Sequence, residues 1–185
     1  MRKIIAAINM TLDGFCDHTA VNPDDELMEY FNDLMRNTDT LIYGRTTYQL
    51  MGSYWPLLVK NPSGNKLDDE FAVLMENISK IVYSHTLENV SWTNSTLKRV
   101  IKKEEITELK QQAGKNIAVG SPSLIVAFTE LDMIDEYQIC VHPVVLGSGL
   151  PLFNNIGDKV DLKLIRTKTF RAGTIVLYYE PTKNQ

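Results

Sequence analysis

Cysteine is scarce in this 185-residue chain, which contains only Cys16 and Cys140. Their spacing matches neither a metal-binding pair nor a redox pair, so we expect two free thiols in a reducing compartment. The three histidines are equally scattered, without a Cys or His partner at ligand spacing, at His18, His85 and His142. We therefore predict no metal site.

Long hydrophobic runs are also missing. No apolar run approaches the length of a membrane span, and the first one ends at Asn9, too early for a signal peptide. We expect a cytoplasmic protein that makes no contact with a membrane. The net charge of -4 gives no basic surface for DNA or RNA, so we expect no nucleic-acid partner. With 44% apolar residues the chain can bury a core, and we predict a single domain over 1–185.

The sequence lacks a Walker A motif, a Gly-x-Ser-x-Gly elbow and the Gly-x-Gly-x-x-Gly fingerprint. It has one shorter pattern twice: an apolar strand, a glycine and a hydroxyl-rich helix start. The first copy follows the strand at 40–43 and consists of Gly44, Arg45, Thr46 and Thr47. The second copy follows the strand at 117–119 and consists of Gly120, Ser121, Pro122, Ser123 and Leu124.

Each copy could hold a phosphate. A glycine lets a ligand approach the backbone, and the first N–H groups of the following helix point at whatever lies there. Two such turns suit a ligand with two separated phosphate groups, such as a dinucleotide. The alternative remains open: Gly44 is an ordinary turn glycine, Arg45 is a solvated charge, and Pro122 is simply a favourable first helical residue.

Two further turns follow apolar strands. Asp13 and Gly14 come just after the first strand, where α/β sheets collect ligands, and a carboxylate there could hold or protonate a substrate. The alternative is a loop aspartate in an Asx turn. Gly147 and Gly149 flank Ser148, which predicts either a backbone nest for a phosphate or a tight turn.

Strands and helices alternate along the chain. Strands are predicted at 3–9, 40–43, 80–84, 117–119 and 136–142, with an edge strand within 86–103. The first helix begins near Asn22, which could cap it, and shows an apolar face from Leu27 to Met35. Residues 54–65 are predicted to be a loop under which Trp55 packs, or from which it stacks on a ligand ring. Strands at 162–170 and 174–179 close an antiparallel hairpin, so we predict an α/β fold with a mixed sheet.

Five segments in this order resemble the dihydrofolate reductase superfamily. The resemblance runs from residue 3 to residue 180 and is specific to the branch similar to the reductase domain of bacterial riboflavin biosynthesis, the C-terminal part of a bifunctional deaminase-reductase. The segments that carry it are Thr11-Leu12-Asp13-Gly14-Phe15, Tyr43-Gly44-Arg45-Thr46-Thr47-Tyr48, Val82-Tyr83-Ser84, Val119-Gly120-Ser121-Pro122-Ser123-Leu124 and the stretch from Pro143 to Phe153. The resemblance implies a dihydrofolate reductase-like three-layer αβα fold whose central mixed sheet is mostly parallel, and it favours a homodimer.

The resemblance implies NADPH as the cofactor. The first glycine turn would hold phosphates on the adenine side, and Ser84 and His85 would lie near the adenosine 2′-phosphate. The second glycine turn, with Pro122, would hold the pyrophosphate and the nicotinamide side.

The resemblance also implies a small heterocyclic substrate. Asp13 would be the catalytic residue, and the substrate-binding residues would be Ala7, Asn9, Gly14, Trp55, Gly147 and Gly149. The first-helix carboxylate of dihydrofolate reductases is replaced here by Leu27 or Met28, which favours a substrate other than folate. The expected activity is similar to that of 5-amino-6-(5-phosphoribosylamino)uracil reductase. The alternatives are a pterin reductase and a dinucleotide-binding protein without turnover.

Overall fold

The computed structural model describes residues 1–21 and 23–182. Eight strands and five helices occur there, in the order β1 (Ile4–Thr11), α1 (Asp25–Arg36), β2 (Thr38–Gly44), α2 (Arg45–Lys60), α3 (Lys66–Asn77), β3 (Ser79–Tyr83), β4 (Ser95–Lys98), α4 (Lys103–Gln111), β5 (Asn116–Val119), α5 (Pro122–Glu130), β6 (Glu136–His142), β7 (Leu162–Thr169) and β8 (Ile175–Pro181). The fold is of the three-layer α/β class with mixed, mostly parallel strand pairing, which confirms the predicted class.

The chain divides into two compact units. One consists of residues 1–2 and 23–118, and the other of the described parts of 3–22 and 119–185. We call them the first unit and the second unit. The single domain that the sequence predicts over 1–185 stays a prediction.

The first unit places three strand ends side by side. Its strand order is β4-β3-β2-β5, and β3 pairs in parallel with both β2 and β4. Gly44 lies opposite Tyr83, and Tyr83 lies opposite Lys98. The residues that follow β2, β3 and β4 therefore emerge at the same edge of the sheet.

The first helix is capped by Asp24, whose side chain accepts a hydrogen bond from the backbone N–H of Leu27. The predicted cap, Asn22, lies outside the described residues. The predicted apolar face of this helix is buried at Leu27, Met28, Leu34 and Met35.

The predicted loop at 54–65 is wrong in its first half, because α2 continues to Lys60 with Pro56 inside the helix. A proline removes one backbone hydrogen bond from a helix, and packing compensates for that loss here. The ring of Trp55 lies 4.5 Å from that of Phe71 on α3, centroid to centroid, and Leu58 is buried. Tertiary contacts thus override the local helix-breaking signal.

The second unit contains the mixed part of the sheet. Its strand order is β1-β6-β8-β7, with β1 and β6 parallel and with β8 antiparallel to both of its neighbours. The predicted hairpin of β7 and β8 is confirmed. Along β1 the residues 4–6 are buried, whereas residues 7–10 are partly exposed. The second half of this strand is therefore accessible to a ligand.

The described part of the chain contains neither a membrane-spanning helix nor a metal-ligand cluster. None of its helices combines the length and the apolar character needed to span a membrane. No group of three or more His, Cys, Asp or Glu side chains is arranged to hold a metal ion.

A polar cluster in the first unit ties the chain start to the loop before β5. Arg2 is buried and pairs with the Asp39 carboxylate, and its Nε donates to the carbonyl of Lys115 at 2.7 Å. The backbone N–H of Lys115 donates to Asp39 Oδ2 at 2.7 Å. Gly114 lies against this cluster at φ +156°, and a Cβ there would be 2.5 Å from Asp39 Oδ2. The cluster leaves no room for a side chain at position 114.

We expect Gly114→Ala to destabilise the protein by about 1–3 kcal/mol, because the new methyl displaces a carboxylate that pairs with a buried guanidinium. Urea unfolding measures the loss. Gly64→Ala is the matched control, since Gly64 also has a positive φ but open space around it. Equal losses for the two variants would mean that backbone strain, and not the cluster, sets the cost.

Candidate active site

The loop after β1 is organised by Thr11, which is fully buried. The Thr11 hydroxyl donates to Asp13 Oδ1 at 2.6 Å, and the backbone N–H of Thr11 donates to the carbonyl of Phe15 at 2.9 Å. Gly14 has φ +91°, a conformation that favours glycine, and a Cβ there would meet no atom within 4 Å. The tight turn at Asp13 and Gly14 is therefore present, and its glycine faces open space.

The carboxylate of Asp13 lies against the glycine turn at 147–149, for which the sequence predicts either a phosphate nest or a tight turn. The backbone N–H of Gly147 donates to Asp13 Oδ2 at 2.7 Å, and that of Leu146 donates to the same oxygen at 3.1 Å. The Thr11 hydroxyl and these N–H groups lower the pKa of Asp13 from its ordinary value. The nest at Gly147 thus holds an internal carboxylate, and the ionised form of Asp13 is the favoured one. This geometry weighs against proton donation by Asp13.

Backbone hydrogen bonds extend this contact into a paired-loop segment, formed by residues 11–16 and 144–152. Leu12 N donates to Val144 O at 2.9 Å, and Cys16 N donates to Leu150 O at 2.7 Å. Gly149 has φ +148° and packs on Phe15. A Cβ added at position 149 would lie 3.3 Å from the Cβ of Phe15. Gly149 accordingly has a structural reason to be glycine, and Asp13 links the two loops.

We expect Asp13→Asn to loosen the paired-loop segment, because the amide has no negative charge and only one acceptor oxygen for the hydroxyl and N–H groups that now donate to the carboxylate. Limited proteolysis within 143–152 should become faster. The folded-state pKa of Asp13 is lowered, so its contribution to stability is present above the ordinary value of 3.8 and is lost as the pH falls below it. Urea midpoints between pH 7 and pH 3 should therefore fall less steeply in the variant.

Asp17→Asn is the control for this experiment. Asp17 is also a loop aspartate with a lowered pKa, but its hydrogen bonds come only from nearby residues of its own loop, chiefly Thr19. A proteolysis rate that rises equally in both variants would contradict a specific link between Asp13 and residues 146–147.

The second glycine turn begins α5. Pro122 is the first residue of the helix, as the sequence predicts, and Ser121 precedes it with its side chain making no capping hydrogen bond. The Ser121 carbonyl accepts from Leu124 N at 3.1 Å. Gly120 is partly exposed and Ser123 is exposed. The turn thus leaves part of its surface open to a ligand.

The first glycine turn brings Arg45 to the residues that follow β3. Arg45 is the first residue of α2, and its Nη1 donates to the hydroxyl of Thr86 at 2.8 Å. Ser84 Oγ accepts from the backbone N–H groups of Thr86 at 3.2 Å and Leu87 at 2.9 Å. His85 is exposed in this turn. The structure thus places Arg45 beside the turn that contains Ser84 and His85.

Arg99 is the residue that the sequence analysis missed. It follows β4, and its Nη1 donates to the carbonyls of Ser84 at 2.9 Å and Leu87 at 2.5 Å. Two exposed guanidinium groups, Arg45 and Arg99, therefore border the 84–87 turn. The edge strand predicted within 86–103 was only a partial signal, because its end, which the structure places at Lys98, could not be located from the sequence. We call Arg45, the 84–87 turn and Arg99 the arginine turn.

The start of α2 has an unusual charge. Its first turn contains Arg45, Thr46 and Thr47 and no acidic residue, and Gly44 provides no side-chain cap. A helix N-terminus carries partial positive charge and favours anions, so an arginine there is unfavourable unless an anion binds close by. Thr46 is exposed and Thr47 is partly exposed, which leaves both hydroxyls accessible.

Trp55 packs against its neighbours in the first unit. It lies within α2, contacts the rings of Tyr54 and Phe71, and donates from Nε1 to Met51 Sδ at 3.2 Å. These contacts agree with the packing role that the sequence analysis gave as one alternative.

Comparison with known proteins decides the family. A model of the RibD C-terminal domain matches residues 2–176. The chain belongs to this family. The uncharacterized protein YyaP of Bacillus subtilis (strain 168) is 34% identical over 182 residues, which cover 96% of this chain and 94% of YyaP. The expected resemblance to the reductase domain of bacterial riboflavin biosynthesis is thus confirmed at the level of the RibD C-terminal domain family.

Two solved structures share the fold of this chain. A putative riboflavin biosynthesis protein from Shewanella sp. PV-4 has a TM-score of 0.74 and 21% identity, with coverage of 99% of this chain and 100% of that chain. The dihydrofolate reductase of Enterococcus faecalis, in a complex with NADP(H), has a TM-score of 0.62 and 14% identity, with coverage of 98% and 97%. The predicted dihydrofolate reductase-like fold is confirmed.

Proposed function

We propose that this RibD C-terminal domain protein is an NADPH-dependent reductase of a small heterocycle, with an activity similar to that of 5-amino-6-(5-phosphoribosylamino)uracil reductase. The observation that carries the proposal is the arginine turn. Arg45 lies at the positive end of α2 with no acidic residue beside it, next to a turn that Arg99 also contacts. Such a concentration of positive charge fits a phosphate-bearing ligand.

The adenosine phosphates are assigned to the first unit. Arg45 and Arg99 supply guanidinium forks, the hydroxyls of Thr46 and Thr47 are accessible, and Ser84 and His85 belong to the turn between the two arginines. A 2′-phosphate carries two negative charges and several acceptor oxygens, which planar guanidinium groups bind well. This set of donors fits NADPH better than NADH.

The resemblance assigns the nicotinamide side of the cofactor to the second glycine turn. Gly120, Ser121, Ser123 and Leu124 would hold the pyrophosphate and nicotinamide side, although Pro122 removes one N–H from this turn. When bound, the cofactor supplies the hydride, and the protein's task is to orient the substrate and to exclude water. Substrate contacts are assigned to the accessible half of β1 and to the following turn, at Ala7, Asn9 and Gly14.

Asp13 has an organising role in this proposal. Its carboxylate is ionised and engaged by the N–H groups of Leu146 and Gly147, so it holds the paired-loop segment in place next to the open end of β1. The proton that accompanies the hydride would then come from solvent water.

A fluorescence titration with NADPH and NADH tests the cofactor, using energy transfer from Trp55 and Trp92. We expect micromolar binding that favours NADPH. Oxidation of NADPH is then followed with a panel of pyrimidines, pterins and carbonyl compounds. Failure to bind either nucleotide would refute the proposal.

A dinucleotide-binding protein without turnover is the second candidate. It is favoured by the engagement of Asp13, because the carboxylate predicted to act in catalysis is already bound by backbone N–H groups. NADPH binding without turnover of any member of the panel would support this candidate. A pterin reductase is less favoured, since the helix positions Leu27 and Met28 are apolar and buried.

A further inference from the structure

A buried histidine in the second unit, His142, is not among the residues assigned to the cofactor or the substrate. His142 is the last residue of β6 and is 4% exposed. Its Nε2 lies 2.8 Å from Asn9 Oδ1 and 3.6 Å from Cys140 Sγ, while its Nδ1 lies 3.5 Å from Thr174 Oγ1. The imidazole thus connects an interior hydroxyl to Asn9, a residue in the accessible half of β1.

Strand register places these groups together. In the parallel pair of β1 and β6, Asn9 lies opposite Cys140 and Thr11 lies opposite His142. Side chains two residues apart on a strand share a face, so these four side chains project from one face of the sheet. The contact between Asn9 and His142 is therefore a diagonal contact between neighbouring strands.

The surroundings determine which ring nitrogen carries the proton. Burial lowers the pKa of His142, and so the neutral ring with a single N–H is favoured. Asn9 Oδ1 can only accept, so the proton belongs on Nε2, and Nδ1 accepts from the hydroxyl of Thr174. Burial also raises the pKa of the Cys140 thiol to about 12, which keeps this neighbour neutral.

Because His142 holds Oδ1 of the Asn9 amide, the direction of the Asn9 Nδ2 group is set as well. Among the residues at 1–21 and 23–182, none forms a hydrogen bond with Asn9 Nδ2. Asn9 is partly exposed, so its NH₂ group can donate to a ligand. The one carboxylate of the adjoining turn, Asp13, is engaged by the N–H groups of Leu146 and Gly147. Asn9 therefore offers a neutral donor and no negative charge.

We propose that His142 is a positioning residue that holds the Asn9 amide with its NH₂ available to the substrate, so that the site selects heterocycles presenting an exocyclic carbonyl oxygen over those presenting an amino group. This substrate class rests on the proposed reductase function. The arrangement of His142 and Asn9 in the free protein does not, and it can be tested separately.

The first test determines the tautomer of His142. Long-range ¹H–¹⁵N spectra of histidine-labelled protein at pH 7 should show the neutral ring protonated at Nε2. The resonances are assigned by their loss in His142→Gln, and His18 and His85, both exposed, are internal references. A ring protonated at Nδ1, or at both nitrogens, would overturn the proposal.

The second test compares two replacements of His142. The Nε of Gln can donate to Asn9 Oδ1, whereas Leu of similar size cannot. The side-chain NH₂ resonances of Asn9, assigned with Asn9→Asp, should keep their positions in His142→Gln and lose their dispersion in His142→Leu. Unchanged Asn9 resonances in His142→Leu would contradict a positioning role.

Thr174→Val keeps the test decisive if His142→Leu does not fold. It removes the hydroxyl that donates to Nδ1, and we expect both tautomers of His142 to become populated and the Asn9 resonances to shift. No change in either set of signals would contradict the proposed chain of hydrogen bonds.

The substrate class is tested with two probes added to protein saturated with NADPH: uracil, which presents carbonyl acceptors, and 2,4-diaminopyrimidine, which presents amino donors. Uracil should shift the Asn9 NH₂ resonances, and its Kd should rise about tenfold in His142→Leu but stay near the wild-type value in His142→Gln. An equal response to both probes, a response to diaminopyrimidine alone, or a response to neither would overturn the selection for carbonyl oxygens. Loss of NADPH binding would instead count against the reductase function and leave the tautomer result unaffected.

Discussion

Replacing Arg45 by alanine should weaken NADPH binding by about 1–3 kcal/mol, which is roughly a fivefold to 150-fold increase in Kd. Alanine removes a charge-assisted hydrogen bond to the bound phosphate. It also removes the positive charge of Arg45 at the positive end of the α2 dipole, which the phosphate would neutralise. Tryptophan energy transfer or calorimetry measures the affinity. The protein should otherwise fold normally, because Arg45 is exposed and its Nη1 contacts only the hydroxyl of Thr86 among the described contacts.

A comparison of NADPH with NADH locates the contact. If Arg45 binds the 2′-phosphate, its loss weakens NADPH far more than NADH; if it binds the pyrophosphate, both nucleotides lose affinity equally. Arg166→Ala is the control, since Arg166 is exposed on β7 and covers the ring of Tyr178. An unchanged Kd in Arg45→Ala would remove the arginine turn from the cofactor site.

The contacts that could be predicted from the sequence are those between residues at the ends of neighbouring parallel strands. Gly44 and Arg45 end β2 and begin α2, and Ser84 follows the neighbouring parallel strand, so their proximity could be expected from order alone. Arg99 could be found in the same way only if the end of β4 were known. That strand has four residues and only partly apolar sequence, which gives a weak signal.

The less predictable part depended on contacts distant in sequence. Asp13 reads as a free carboxylate at a ligand-binding strand end, yet the N–H groups that bind it come 133 and 134 positions later. No pattern in the local sequence indicates that Asp13 contacts residues so far along the chain. His142 was set aside for want of a partner at metal-ligand spacing, whereas its partner is Asn9 on the adjacent strand. In both cases the register of strands and loops, and not composition, sets the chemistry.

Lys80 provides the largest expected effect on stability, because a buried ammonium group holds three backbone carbonyls together. Lys80 is 1% exposed, and its Nζ donates to the carbonyls of Glu76 at 3.0 Å, Ile78 at 2.9 Å and Thr93 at 3.0 Å. The same Nζ lies 4.4 Å from the centroid of the Trp92 ring. All three protons of the ammonium group therefore have acceptors, and the end of α3 is tied to the segment before β4.

We expect Lys80→Met to lower the free energy of unfolding by about 2–4 kcal/mol, since a methionine fills the space but leaves three carbonyls without this donor. Urea unfolding measures the change, and Lys66→Met, at an exposed lysine that begins α3, should change stability little. Equal stabilities of Lys80→Met and the wild type would show that water replaces the ammonium group at no cost.

The pH dependence of Lys80→Met gives an independent check. Burial lowers the pKa of Lys80 to about 8 from an ordinary 10.5, against the opposing effect of the Glu76 carboxylate. Between these two values the unfolded chain binds more protons than the folded chain, so this group makes the wild type more stable as the pH rises from 8 to 10.5. The variant has no such group, and the stability gap between the two proteins should widen across that range. A gap that is constant with pH would mean that Lys80 titrates alike in the folded and unfolded chains, which its buried position opposes.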